Sequence, residues 1–351
     1  MKLGRDFDAY QDFILGCKVY WTTELFGELR NTYDQKVRRL PDPPSTAAQV
    51  DELFDGDTLY GYYAWLERHL QRMKYSGRHG VAPALETHRD TLEAQLNQPL
   101  PAGLLHLDEN LELPRYFTSV DIHQHPGGVW NDSLAGLVYE RGARTTTPML
   151  NKHRDLHFRF TALVESYKPP RRLVDLGCGF GKSTQAFYSE YPDAEVVGVD
   201  IAAPCLRLAA VNASEHQAQN VEFHQARAEE TGLEAEAFDV ATSTMLIHEM
   251  PPPAVKGMIA ETFRLLEPGG VAIHLDFLAD DDAFNRFIHY GHARRNNEPY
   301  MPALNEMDLV QAHRDAGFSH VEVIPFEERP GTLAAEFEAW RFPWAVVVAR
   351  K

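Results

Sequence analysis

Apolar and polar positions follow different rhythms in the two halves of this chain. From residue 173 onward, short apolar runs recur: Leu173–Leu176, Glu195–Asp200, Val221–His224, Phe238–Met245, Val271–Asp276, Val321–Phe326 and Trp344–Ala349. Runs of this length, rich in valine and bounded by turn residues, predict buried strands. Between them stand a helix opening at Ser183–Tyr188, an inserted helix over Ala283–Tyr290 and a polar Arg294–Asn297 segment. A last crossover helix follows over Asn305–Ala316, stopped by Gly317. Alternating strands and helices predict an α/β fold with a mainly parallel sheet.

The first half reads as helical. Leu25, Leu29, Tyr33 and Val37 recur every fourth residue, the stripe of an amphipathic helix. Pro41–Pro44 ends that helix, Ser45–Ala48 opens another, and the aromatic-rich Leu59–Leu70 is a third. A polar helix is predicted over Pro83–Gln95. Leu104–Leu107 and Leu111–Leu113 then predict a short β-hairpin around Asp108–Asn110. Thr147–Pro148 predicts the start of a helix that runs to Tyr167 and stops before Pro169–Pro170. The domain boundary is set there: residues 1–147 form a mainly helical substrate or lid domain, and 148–351 the α/β domain.

The centre of the second half is Asp175-Leu176-Gly177-Cys178-Gly179-Phe180-Gly181, a glycine turn between a strand and a helix. Open α/β sheets bind nucleotides at such turns. The spacing is G-x-G-x-G, not the G-x-G-x-x-G of dinucleotide sites, and Asp175 would repel a pyrophosphate. It suits a ligand carrying a cationic amino group and a sulfonium. A phosphate-binding P-loop fails because position 176, where that motif needs glycine, is leucine.

This string resembles the first motif of class I S-adenosylmethionine-dependent methyltransferases of the small-molecule type. The resemblance extends over about residues 150–351. Asp200 ends the second strand about 20 residues on, the usual place of a ribose-binding acid, and Glu267-Pro268-Gly269-Gly270 precedes the fifth strand as in the family. It implies a Rossmann-like sheet of seven strands whose last strand enters antiparallel between its two predecessors. It also implies S-adenosyl-L-methionine as cofactor, held by Asp175, Gly177, Cys178, Gly179 and Gly181 in the loop. Asp200 would take the ribose and Ile201 the adenine face. Arg227, Ala228 and Glu229 would follow the third strand, and Thr244 and Met245 the fourth, with Tyr139 at the methionine end. Arg227-Ala228 departs from the acid and small residue usual in the family, which leaves the backbone of Ala228 as the contact to the adenine edge.

Composition narrows the partners. The net charge is −17 over 351 residues, which argues against nucleic acid, whose phosphates need a basic face. No apolar run reaches the length of a membrane span, and three cysteines do not make a disulfide framework. A cytoplasmic enzyme is expected, with a small-molecule acceptor and a homodimer allowed.

Catalytic candidates are histidines. His248 follows the fourth strand, where the acceptor should lie, and histidine titrates in the right range for a base. In Asp121-Ile122-His123-Gln124-His125, alternation would put Asp121, His123 and His125 on one face of a strand. No metal site is expected there, because Asp121 and His125 would lie about 13 Å apart at Cα. The expectation is methyl transfer to a small organic acceptor, at oxygen ahead of carbon or nitrogen. A protein or peptide methyltransferase and a non-catalytic cofactor-binding subunit remain as alternatives.

Overall fold

The computed structural model describes residues 3–145, 153–334 and 339–351. Its centre is a sheet of eight strands: β1 (Leu105–His106), β2 (Arg172–Leu176), β3 (Glu195–Asp200), β4 (Val221–Gln225), β5 (Phe238–Thr244), β6 (Leu266–Phe277), β7 (His320–Pro325) and β8 (Trp344–Arg350). The order is β1-β4-β3-β2-β5-β6-β8-β7. From β1 to β6 all neighbours are parallel; β8 runs antiparallel between β6 and β7.

Seven of these strands are the predicted ones. The eighth corrects the hairpin expected at 104–113. Leu105–His106 pairs in parallel with Phe223–His224, and the Phe223 amide donates to Leu104 O at 2.9 Å. The edge of β4 offered unpaired backbone groups, and residues 111–113 form no strand. The order reverses between β2 and β5, so the carboxyl ends of those strands open the crevice in which such sheets bind ligands.

The helices match with shifted ends. The predicted helix over 83–95 is two helices, Val81–Glu86 and Arg89–Leu96. The inserted helix runs Ala283–Asn296, so it takes in Arg294 and Arg295 of the predicted polar segment. The last crossover helix starts only at Leu309, where the Asp308 carboxylate accepts the Gln311 amide at 2.8 Å, and Gly317 ends it at φ 112°. The helix before β2 is described from His153 to Tyr167; its expected start at Thr147–Pro148, and the boundary placed there, lie outside the described residues. Residues 122–124 form a 3₁₀ turn, with His123 and Gln124 both at φ 56°, so the shared face that a strand would give Asp121, His123 and His125 does not arise.

Arg5–Tyr20 and Phe26–Val37 form one rod joined by a π-helical turn, Trp21–Leu25. The widened turn carries Trp21 inward, where its indole N–H donates to Tyr63 O at 3.2 Å. The predicted stripe Leu25, Leu29 and Tyr33 is buried in a cluster that also holds Phe284 and Phe287 of the inserted helix and Leu173 and Ile273 of the sheet. The N-terminal helices therefore share an apolar core with the sheet. Among the described residues, no helix is long and apolar enough to cross a membrane.

Candidate active site

A cavity of about 780 Å³ opens over the carboxyl ends of β2, β3 and β5. Its floor is the turn after β2. Gly177, Gly179 and Gly181 have φ of 66°, 53° and 79°, the left-handed region that glycine occupies without strain. Their roles differ. A Cβ on Gly177 would meet Leu246 Cδ1 at 2.6 Å, and one on Gly181 would meet Ala209 Cβ at 2.8 Å. Those two glycines allow packing, and Gly181 turns away from the cavity. A Cβ on Gly179 would find only Tyr139 Cε1, at 3.9 Å. Gly179 thus leaves open a cradle that a side chain would fill.

Asp175 is also corrected. Its carboxylate is fully buried and accepts from Ser183 Oγ and Thr184 Oγ1, each at 2.7 Å, and from Thr242 Oγ1 at 3.1 Å. It pins β2 to the following helix and β5 and offers nothing to the cavity. Burial raises its pKa, and the three hydroxyls partly offset this.

Asp200, at the end of β3, faces the cavity with Ile201. One carboxylate oxygen accepts the Gly179 amide at 2.7 Å and the other the Ala202 amide at 2.8 Å. Each oxygen keeps a lone pair, so the group can still receive two hydroxyls. Burial pushes its pKa up to about 6, against the lowering effect of those amides.

After β4 the loop brings Ala228 and Glu229 to the wall. Glu229 Oε1 accepts from the Tyr116 hydroxyl at 2.9 Å, while Oε2 is buried and finds no partner among the described residues. An orphaned carboxylate oxygen on a cavity wall fits an amino donor. Arg227 does not line the cavity; its guanidinium pairs with Glu230 at the surface. Thr244, Met245, Cys178 and Tyr139 complete this end. Burial lifts the Cys178 thiol well above its usual pKa, so it is no nucleophile.

The other end is walled by rings. His248 packs on Phe277 with centroids 4.8 Å apart, Phe277 on Phe342 at 4.2 Å, Phe342 on Trp340 at 4.8 Å, and Trp340 on Trp21 at 5.1 Å. His248 sits in the 3₁₀ turn Ile247–Glu249 after β5, and its Nδ1 lies 2.6 Å from Asp276 Oδ1 on β6. The Ile247 and Phe277 amides also donate to Asp276, which fixes the carboxylate. Burial opposes a charge on the imidazole, but Asp276 overrides it and raises the His248 pKa. Its Nε2 lies 3.9 Å from Glu249 Oε1, and the side chain lines the cavity; an imidazole oriented in this way by a buried carboxylate is equipped to take a proton.

The other two histidines part company. His123 faces the cavity, its Nε2 2.8 Å from Glu249 Oε1 and its Nδ1 3.0 Å from Glu298 Oε1. Burial opposes its charge, but the two carboxylates lift its pKa to about 10. It stands as an imidazolium and cannot serve as a base. His125 is not on the cavity; its Nε2 lies 3.2 Å from Ala135 O, and burial drives its pKa to about 4. The 3₁₀ turn at 122–124 is what separates them.

Sequence reasoning missed Asp276, Glu298, Lys18 and the ring wall from Trp21 to Phe342. Lys18 donates to Gln71 Oε1 at 3.0 Å at the cavity's edge, and burial lowers its ammonium to about 8. Only Asp276 left a signal, a carboxylate at the carboxyl end of an apolar strand.

Residues 173–270 match a family described as a methyltransferase domain. An uncharacterized methyltransferase of Synechocystis is 30% identical over 108 residues, 31% of this chain and 48% of the relative. The match spans about half that relative's length. A ubiquinone biosynthesis O-methyltransferase of Aromatoleum aromaticum is 26% identical over 46% of this chain and 70% of its own. A nocamycin O-methyltransferase of Saccharothrix syringae is 33% identical over 40% of this chain and 46% of its own. Among solved structures, a putative O-methyltransferase of Nostoc punctiforme superposes with a TM-score of 0.45 at 18% identity, covering 68% of this chain and 69% of that one.

Proposed function

We propose that this chain is a class I S-adenosylmethionine-dependent methyltransferase and that it methylates a hydroxyl of a small planar organic acceptor. The cofactor supplies an electrophilic methyl group on a sulfonium. The residues at the glycine-turn end fit it. Asp200 would receive the ribose hydroxyls, and Gly179 would let the chain close on the ligand without a Cβ in the way. Ile201 would lie on the adenine face, and the orphaned Glu229 Oε2 would accept the adenine amino group. That last contact replaces the family acid missing at Arg227.

The observation that carries the oxygen assignment is the His248–Asp276 pair: His248 lines the cavity, and its Nδ1 lies 2.6 Å from Asp276 Oδ1 behind it. A hydroxyl held between Phe277, Phe342 and Trp340 would give its proton to His248 Nε2 as its oxygen bonds to the methyl carbon and the carbon–sulfur bond breaks, leaving a neutral thioether. Asp276 would stabilise the imidazolium, and the rings would exclude water and align the acceptor. The O-methyltransferase names of two relatives favour the same atom. An amine acceptor, already nucleophilic when neutral, would need no such pair.

The test is labelled methyl transfer from the cofactor into phenols, catechols and amines, read by mass spectrometry for wild type and His248→Ala. The expected product is an O-methyl ether that the variant scarcely forms. N-methyl products made equally by both proteins, or label entering only polypeptide, would overturn the reading. Cofactor binding with no transfer to anything would point to a regulatory subunit.

A further inference from the structure

The outer edge of the sheet carries a second cluster, unrelated to the cavity. In β4, Glu222 and His224 are two residues apart and so share one face of the strand. The register puts His106 of β1 directly opposite His224. Three potential ligands, two imidazoles and a carboxylate, thus converge from two strands, and their ligand atoms all lie within 4.8 Å of one another.

The separations are those of ligands to one ion. His106 Nε2 lies 3.6 Å from Glu222 Oε2, and His224 Nε2 lies 3.2 Å from Glu222 Oε1. Two ligands at about 2.05 Å from a tetrahedral zinc stand about 3.4 Å apart. The imidazole rings lie nearly parallel, 18° apart, with centroids at 4.3 Å. His224 Nε2 is buried and makes no hydrogen bond, although Glu222 Oε1 is close enough for one. The two atoms are not aimed at each other, as two ligands of a shared ion would not be.

We propose that His106, Glu222 and His224 bind a divalent transition ion of the zinc type, with water in the fourth position. Two nitrogens and one oxygen suit zinc and its neighbours and do not suit calcium or magnesium. To close the set, the half-exposed His106 ring must leave Gly103 O, which its Nε2 now meets at 2.9 Å, and move toward His224. The ion would clamp the two-residue strand β1 onto β4. Asp108 N already donates to Gln225 Oε1 beside it, and Gln225 leads into the loop carrying Ala228 and Glu229. The site is therefore a structural clamp at the sheet edge and supplies no ligand to the cavity.

The test uses the full chain, stripped with chelator and titrated with zinc chloride by calorimetry. One zinc per chain should bind and raise Tm, and cobalt at the same site should give the intense visible bands of a tetrahedral ion. His106→Ala and His224→Ala should each weaken binding at least about tenfold. His106 sits half-exposed at the edge, so its variant should keep the wild-type circular dichroism and remain informative if His224→Ala does not fold. His69→Ala, outside the cluster, is the control and should bind like wild type. No binding at about 1 mM zinc, well above the affinities of built zinc sites, would overturn the proposal, as would equal binding by the wild type and both ligand variants.

Discussion

The two ends of the cavity are built from different materials. At the glycine-turn end the contacts come from backbone and strand ends: Gly179, Asp200, Ile201 and Ala228, all within 50 residues of one another. At the ring-walled end they come from side chains brought together over the whole length of the chain: Trp21, His123, His248, Glu298 and Trp340. The first end is a local motif that any chain with this turn must form. The second exists only after the N-terminal helices, the inserted helix and the segment before β8 have packed together. On the proposed reading the local end would hold the cofactor and the assembled end the acceptor.

The largest effect should come from the ring-walled end. His248→Ala should lower kcat by about 10²- to 10⁴-fold while the Kd for the cofactor hardly moves. Asp276→Asn should lose much of the same factor, because the imidazolium loses its counter-charge. In wild type the raised His248 pKa means the base is protonated at low pH, so kcat should climb as pH rises through a value above 6.5. Steady-state rates against pH, beside calorimetric cofactor binding, check both. Equal loss in kcat and cofactor affinity would mean that the two ends are not separable.

How far the sequence could be read follows the same division. All seven core strands and the cavity's glycine-turn end were visible because apolar runs and turn glycines act over a few residues. Even there, spacing could not tell Gly179, which faces the cavity, from Gly181, which packs on Ala209, nor show that the Asp175 carboxylate is consumed by three hydroxyls. Alternation over five residues is a weak signal and could not tell which histidine of the 121–125 string faces the cavity. The turn at 122–124 is held from outside by the Gln71 side chain, which donates to His123 O at 2.9 Å, and by the Asn297 side chain, which donates to Asp121 O at 3.1 Å. The edge strand was misassigned because its partner, β4, lies more than 100 residues away.

The next effect is on stability. Glu298 is 4% exposed and holds His123 as an imidazolium. Breaking a buried pair by removing one partner costs about 3–5 kcal/mol, so Glu298→Ala should lower stability by that order in urea unfolding. The pH sign follows from the His123 pKa, raised from the usual 6.5 to about 10. Its contribution is complete below 6.5 and is lost as pH rises through 10. His123→Gln should flatten that alkaline decline. A decline of unchanged size would mean that other groups cause it.

At the glycine-turn end the effects should be smaller but confined to binding. Asp200→Ala should weaken the cofactor by about 1.5–3 kcal/mol, the worth of a charge-assisted hydrogen bond. Gly179→Val should do at least as much by filling the cradle. Since burial holds the Asp200 pKa at about 6, cofactor affinity in wild type should fall as pH drops below 6, where the acceptor becomes protonated. The stability effect of Asp200 runs the other way: its contribution is present below the usual 3.8 and lost as pH rises through 6. Calorimetry from pH 5 to 8 separates the two, and a flat affinity profile there would remove Asp200 from the ribose.

The smallest effect tests where this chain departs from its relatives. Arg227 occupies the position of the family acid but pairs with Glu230 at the surface, where an ion pair is worth about 0.2–1 kcal/mol to stability and nothing to a ligand it does not touch. Arg227→Ala should therefore leave the cofactor Kd within about twofold. Glu229, two residues on, presents a buried oxygen without a partner among the described residues. Its loss removes an acceptor for the adenine amino group, so Glu229→Ala should weaken binding by about tenfold, one charge-assisted hydrogen bond. Tyr116 donates to the other oxygen of Glu229, so Tyr116→Phe is the control for a merely displaced carboxylate and should cost less than Glu229→Ala. If Arg227→Ala proved the more damaging of the first pair, the adenine contact would belong to the family position after all, and the loop would have to close differently when the cofactor is bound.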